Sequence, residues 1–341
     1  MSLALALKTR DVADLPGKRQ EDWRWTDLRG LVRVLPEPSA PVDRDLGAGP
    51  FDALAERVLV IANGRDDQVI EVAAGETASL ALRIVSRGDG AHAAGVRITV
   101  ATGGRLRLFE SYEGQGSYLA QTSISVELAE GAAMERIVLA DEDAEAVAVS
   151  HAEVRLSPHS EYGQTVVATG ARRQRLETRV THPGGHAILR LDGAYLLAGK
   201  RHADLTTVVA HEGLDGATQQ LTKGVVRDQA RGVFQGKIVV AEGADRTDAR
   251  MGHHALILSD RAEVDAKPEL EIYADDVSCA HGNTVGALDE DALFYAEQRG
   301  IPTDEARAML TQAFVAEVAD RIWNEPAREL VAAAIAARLR G

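Results

Sequence analysis

The sequence predicts a mainly β chain, an elongated stack of short strands with helical segments at both ends. Three observations carry this. From about Phe51 to Val285, short runs rich in Val, Ile, Leu and Thr alternate with polar residues and stop at Gly or Asp, the period of strands. No long helical period interrupts them, which excludes a doubly wound α/β fold and leaves a sandwich, a barrel or a β-solenoid. A pattern also recurs in VELAEGAAM from Val126, VRLSPHSEY from Val154, IVVAEGADR from Ile238 and LILSDRAEV from Leu256. Each unit has apolar first and third residues and Ala or Ser at the fourth and seventh places. Small residues at fixed places are what stacked coils require, so the repeat favours a β-helix over a sandwich.

The chain divides into an N-terminal helical region and linker (1–50), a β core (51–287) and a C-terminal helical region (288–341). Ser2 to Leu15 reads as a short amphipathic segment closed by Pro16-Gly17. Trp23 and Trp25 follow among charges, and the plain reading is that both rings cap the end of the core under Arg and Lys stems. Residues 35–50 are rich in Pro, Gly and acids and read as a linker. After the strands, Asp289 can cap a helix whose apolar face includes Leu288, Ala292 and Tyr295, ended by Gly300 and Pro302. Thr303 opens a second, with the stripe Ala306, Met309, Leu310, Ala313, Phe314, Val318 and Ile322. Asn324 can cap a third. Such helices cannot bury all their faces on one another, so they dock on the β core or on another protein.

At 341 residues the chain is long enough for a large core, and 45% hydrophobic content rules out general disorder. Aromatics make up only 4%, so that core is layered from small side chains. The net charge of −14, with no basic stripe, argues against nucleic acid as a partner. A single cysteine makes no internal disulfide and suits a reducing compartment. No apolar run approaches the roughly 20 residues of a membrane span. No export signal is visible, so the expected location is the cytoplasm.

The stretch YADDVSCAHGNTV carries the most chemistry. Strand alternation puts Cys279 and His281 on one face, about 7 Å apart. A thiol and an imidazole so placed can share a soft metal or a sulfur species, but two ligands do not complete a site. The plain alternative is a small buried thiol beside a satisfied histidine. Asp275-Asp276 could hydrogen-bond His281 or start a turn. His253 and His254 are adjacent and face opposite ways. His182 and His186 flank a Pro-Gly-Gly turn and read as a surface loop. His202, Asp204 and His211 could line one face of a solvated strand. No phosphate-loop, dinucleotide, GxSxG or HExxH motif occurs, which leaves nucleotide hydrolysis, hydrolase and zincin chemistry without an anchor.

Three segments in order resemble the SufB/SufD family of the Suf iron–sulfur cluster assembly machinery, and its SufD branch in particular. They are EDWRWTDL (Glu21 to Leu28), HEGLDGATQQLTKGVVRDQARGVFQGKIVV (His211 to Val240) and KPELEIYADDVSCAHGNTVGALDEDALFYAEQRGI (Lys267 to Ile301), the last followed by the ARAMLTQAF helix. The likeness covers most of the chain and is densest from about 195 to 318. The cysteine and acidic pattern of SufB is absent, and Asn283 stands where the family usually has Ala. The resemblance implies a right-handed parallel β-helix with helical N- and C-terminal regions, and a scaffold without turnover of its own. It implies pairing with SufB through the β-helices, and docking of the ATPase SufC on the C-terminal helices through Leu293, Phe294, Met309, Leu310 and Phe314. Cys279 and His281 match positions implicated in iron entry or cluster assembly at the SufB–SufD interface. The cluster would be transient, a reduced flavin is associated with the family's complex, and the isolated chain could pair with itself. The competing reading, a carbohydrate-active or acyl-transfer β-helix enzyme, expects a carboxylate-lined cleft or strict hexapeptide repeats, and neither is visible.

Overall fold

A computed structural model describes residues 1–42 and 46–340; the linker expected over 35–50 includes residues 43–45, which lie outside the described residues. Among the described residues, strands fall into two wholly parallel sheets. Nine strands form one: β1 (Arg57–Ala62), β3 (Thr77–Arg87), β5 (Arg105–Gln115), β7 (Ala133–Asp141), β9 (Glu161–Ala168), β11 (Ile188–Leu197), β13 (Ala217–Val226), β15 (Thr247–Ile257) and β17 (Val277–Gly286). Eight form the other: β2 (Gln68–Val72), β4 (Gly90–Val100), β6 (Tyr118–Leu128), β8 (Val147–Arg155), β10 (Arg173–His182), β12 (His202–His211), β14 (Arg231–Val240) and β16 (Glu263–Ile272). Each strand pairs with the next but one, so the chain winds as a flattened parallel β-helix, as expected.

Ladder register sets the step of the coil. Thr77 lies beside Arg105, Arg105 beside Ala133 and Ala133 beside Glu161, a step of 28 residues each time. Three of the four repeat units in the sequence, from Val126, Val154 and Ile238, turn the same corner, from the eight-stranded sheet into the nine-stranded one. The fourth, from Leu256, turns the opposite corner, which corrects its alignment with the others. Both corners impose one requirement. The seventh residues Ala132, Ser160, Ala244 and Ala262 are all buried, because strands about 4.8 Å apart leave a corner no room for a larger side chain.

The lumen between the sheets holds the main core, including Ile61, Leu82, Ile98, Leu108, Val126 and Leu189. Two further layers lie outside it. Helices α4 (Thr303–Asp320) and α5 (Glu325–Arg340), with Ile322 between them, press Val315, Val318, Val331 and Ile335 onto Phe109, Ile137, Val167 and Leu196 of the nine-stranded sheet. On the opposite side, α1 (Leu3–Thr9) and the single turn α2 (Leu28–Leu31) lay Leu3, Ala6 and Leu28 over Ala91, Leu119 and Val147. Ser2 caps α1 by accepting from the Leu5 amide, and Asn324 caps α5 as read, its Oδ1 accepting from the Ala327 amide. Asp289 likewise caps α3 (Glu290–Gln298) by accepting from the Asp291 and Ala292 amides.

Several sequence expectations are corrected. The buried stripe of α4 is Ala306, Thr311, Val315, Val318 and Ala319, with Ile322 buried just past its end, while Met309 and Ala313 face outward. The sheet beneath sets the rotation of the helix, and an alanine-rich sequence offers two faces of similar hydrophobicity. In α3 the buried residue is Leu293, and Tyr295 is exposed. Trp23 does not cap the core end; its ring covers the Arg175 guanidinium, 4.5 Å away, on the flank of the eight-stranded sheet. His182 is not in a surface loop. It is wholly buried against His211, ring centroids 4.3 Å apart. His202, Asp204 and His211 are buried too. His202 and Asp204 face the N-terminal layer and His211 the lumen, since this strand is covered on both sides.

Among the described residues, no helix is long and apolar enough to cross a membrane.

Candidate functional site

The last coil has no coil above it. β16 and β17 are the terminal strands of their sheets, so each offers an unpaired edge and an uncovered inner face. Register fixes what that face shows: Cys279, His281, Asn283 and Val285 stack on Ala249, Met251, His253 and Ala255 of β15. The four residues on β15 are buried and inward-facing, so their partners on β17 point into the lumen at its open end. Cys279 and His281 therefore share one face, as the alternation predicts. Cys279 is half-buried against the lumenal core, and burial pushes its thiol pKa up, only partly offset by the Ala249 amide. His281 is exposed and makes no side-chain hydrogen bond among the described residues.

Asp275 and Asp276 do not reach His281. They form the turn from β16 to β17, where the Asp276 carbonyl accepts from the Arg246 amide at 2.5 Å. Among the described residues, no group of three or more His, Cys, Asp or Glu side chains is placed to hold a metal ion. The pair thus supplies two donors at an open edge, and a complete coordination sphere needs groups from outside the chain.

Sequence reasoning missed the layer directly beneath. His253 is buried, with its ring stacked on Phe234 at 4.6 Å and 3°. Its Nε2 lies 2.9 Å from the Tyr195 hydroxyl and its Nδ1 2.7 Å from Asn283 Oδ1. Burial lowers the His253 pKa to about 4, so the ring is neutral at ordinary pH. Gly224 and Gly232 make room for Tyr195, since a Cβ on either would run into its ring. The 30-residue step from β15 to β17 is the signal that links position 253 to 283, and it is visible only once coil length is known. His254, as expected, faces the other way and bonds Thr284 Oγ1 at 2.7 Å.

The N-terminal segment reaches toward this end of the coil. The Asp22 carbonyl accepts from Arg175 Nη1 at 2.7 Å and from Gln235 Nε2 at 3.2 Å. Thr26 donates to Asp204 Oδ2 at 2.5 Å, and Glu21 pairs with Lys267 of β16 at 2.7 Å. EDWRWTDL is thus the strap that ties the N-terminal layer to the last coils. The carboxylates here, Glu177 and Asp204, are bound by Arg175.

At the other end of the chain, the helix residues separate. Leu293 is buried. Leu310 is half-buried, and Phe314 packs inward beneath Lys223, whose Nζ is 4.4 Å from the ring. Phe294 and Met309 are open, at 61% and 52% exposure.

Fold and site together define a parallel β-solenoid protein with a thiol and an imidazole at an unpaired sheet edge. The chain belongs to the SufB/SufD family: the profile described as "SUF system FeS cluster assembly, SufBD core domain" matches residues 82–314, more than half of its length. It is 34% identical over 217 residues to the iron–sulfur cluster assembly protein SufD of Escherichia coli, covering 64% of this chain and 51% of that one. It is 30% identical over 238 residues to the chloroplastic protein ABCI7 of Arabidopsis thaliana, covering 69% and 50%. A SufBD family protein of Mycobacterium bovis, Mb1497, is 26% identical over 366 residues, covering 95% of this chain and 89% of that one. The chain spans about half the length of the first two.

Proposed function

We propose that this chain is a scaffold subunit for iron–sulfur cluster assembly, of the SufD kind, working in the cytoplasm and without turnover of its own. Its open last coil pairs end-on with a SufB-type sister chain, and Cys279 and His281 contribute to a cluster that forms transiently between them. The observation that carries this reading is the pair itself: two donors on the inner face of a terminal strand, too few to hold a metal, beside edges that invite another sheet. A second copy of this chain can take the same edge when the sister is absent. Phe294 and Met309 form the open part of a surface on which a SufC-type ATPase docks. A reduced flavin belongs to the assembled complex rather than to any feature of this chain.

The test is co-purification with the SufB and SufC of the same cell, followed by iron and sulfide analysis. Wild type is expected to yield a ternary complex that acquires both. Cys279→Ala and His281→Ala are expected to form the complex with much less iron. Full cluster assembly in both variants would overturn the site, and failure to recover either partner would overturn the scaffold reading.

A further inference from the structure

Asn283 lies one inward position beyond His281 on β17, about 7 Å along the strand. Its side chain is oriented by two buried groups beneath it. Tyr195 is wholly buried, and His253 Nε2 is the one hydrogen-bond partner of its hydroxyl among the described residues. A buried hydroxyl hydrogen left without an acceptor is costly. Tyr195 therefore donates, and Nε2 is the ring's acceptor. The neutral ring then carries its proton on Nδ1, which donates to Asn283 Oδ1 at 2.7 Å. Phe234, stacked on the ring within 3° of parallel, holds it in plane. With its oxygen so engaged, the Asn283 amide turns its NH₂ group away from the buried ring, on the exposed last coil beside His281.

We infer that Asn283 is a specificity-determining residue of the assembly site. Its NH₂ donates a hydrogen bond to an anionic sulfur ligand, sulfide or thiolate, on iron held at His281. Tyr195 and His253 act through it as positioning residues. This rests on the scaffold reading above, in which His281 contributes to the cluster. A side-chain amide with its oxygen engaged offers only donors, so it favours an anion over a second cation at this corner.

Two measurements test it. Imidazole ¹⁵N NMR of the full chain is expected to show His253 protonated on Nδ1, and Tyr195→Phe to shift the population toward Nε2. An Nε2-protonated ring in the wild type would overturn the orientation argument. Iron retention is then measured in the complex with the SufB and SufC partners, after reconstitution with ferrous iron and sodium sulfide. Asn283→Asp keeps the acceptor for His253 but replaces the donor with a negative charge, whereas Asn283→Ala removes both. Each is expected to weaken retention by roughly tenfold, the worth of one hydrogen bond to an ionised group. If His281→Ala loses iron while both Asn283 variants retain it as wild type does, the inference fails alone. If His281→Ala also retains iron, the inference fails, and if Cys279→Ala retains it too, the scaffold-site reading fails with it.

Discussion

Arg136 and Glu110 meet inside the lumen on adjacent strands, with guanidinium Nε and Nη2 at 2.7 and 2.8 Å from the two carboxylate oxygens. Nη1 completes the arrangement at 2.9 Å from Gln164 Oε1, and Gln164 Nε2 donates to Thr178. Both charges are shut away from water, so each depends on the other. Arg136→Ala leaves a buried carboxylate without its cation, and the expected loss is about 3–5 kcal/mol. The urea midpoint should fall accordingly. The double variant Glu110→Leu/Arg136→Met leaves no charge to desolvate and should recover much of that loss; equal midpoints for wild type and Arg136→Ala would show that the pair contributes nothing.

The N-terminal strap makes its own prediction. Asp204 accepts from Arg175, Thr26 and Thr206 beneath Trp23. Asp204→Ala removes the shared acceptor and leaves Arg175 with Glu177 as its one paired carboxylate beside the Asp22 carbonyl. It should cost about 3 kcal/mol, the range for breaking a buried pair, and loosen the strap before the coil unfolds. Trypsin should then cut at Lys18, Arg19 and Arg24 well before it reaches the strands. Trp23→Ala, which removes only the ring over Arg175, should cost about 1–2 kcal/mol. An unchanged digestion pattern in Asp204→Ala would mean that the strap is held elsewhere.

Stability should pass through a maximum between two opposed titrations. Burial lowers His182 and His202 to about 4 and His211 to about 3. Their folded values lie below the unfolded 6.5, so the native state binds fewer protons, and stability is lost as the pH falls from about 6.5 toward 4. Glu142 runs the other way. Burial raises it to about 7, while the Tyr118 hydroxyl that donates to it opposes that rise. Its contribution is present below the unfolded value near 4.5 and is lost as the pH climbs through 7, a change of about 3 kcal/mol. Glu142→Gln keeps an acceptor for Tyr118 and has no proton to lose. Melting temperatures between pH 5 and 8 should therefore decline less steeply on the alkaline side in this variant; a parallel pair of curves would rule Glu142 out as the cause.

What the sequence disclosed follows from which signals are local. The small seventh residue in four units favoured a solenoid, and strand alternation is local, so the shared face of Cys279 and His281 could be read directly. His182, His202 and Asp204 could not. A strand covered on both sides buries polar and apolar positions alike: His182 packs on His211 in the lumen, and the cover over His202 and Asp204 comes from Trp25 and Thr26, more than 170 residues away in sequence. The phase of α4 failed for a related reason: Phe109, Ile137 and Leu196 choose the helix face that is buried, and nothing within the helix announces them. The Tyr195–His253–Asn283 chain needed the register of three strands before it could be seen at all.

That same layer alters how an ATPase contact on the C-terminal helices is to be tested. Removing residues 288–341 would strip α4 and α5 from the sheet and expose Phe109, Ile137, Val167 and Leu196 together, so loss of binding would not separate a missing contact from a damaged fold. Point changes on the open side avoid this. Phe294→Asp and Met309→Asp place a charge on residues that are already more than half exposed, and each should leave the melting temperature within experimental error of wild type. If the two form the centre of the docking surface, either should weaken capture of the SufC-type partner by roughly 2 kcal/mol or more, the size of a hot-spot loss. Val315→Asp is the contrasting control: it buries a charge between α4 and the sheet, so it should lower the melting temperature and binding together. Full-strength capture by the Phe294→Asp/Met309→Asp double variant would move the docking surface away from these helices.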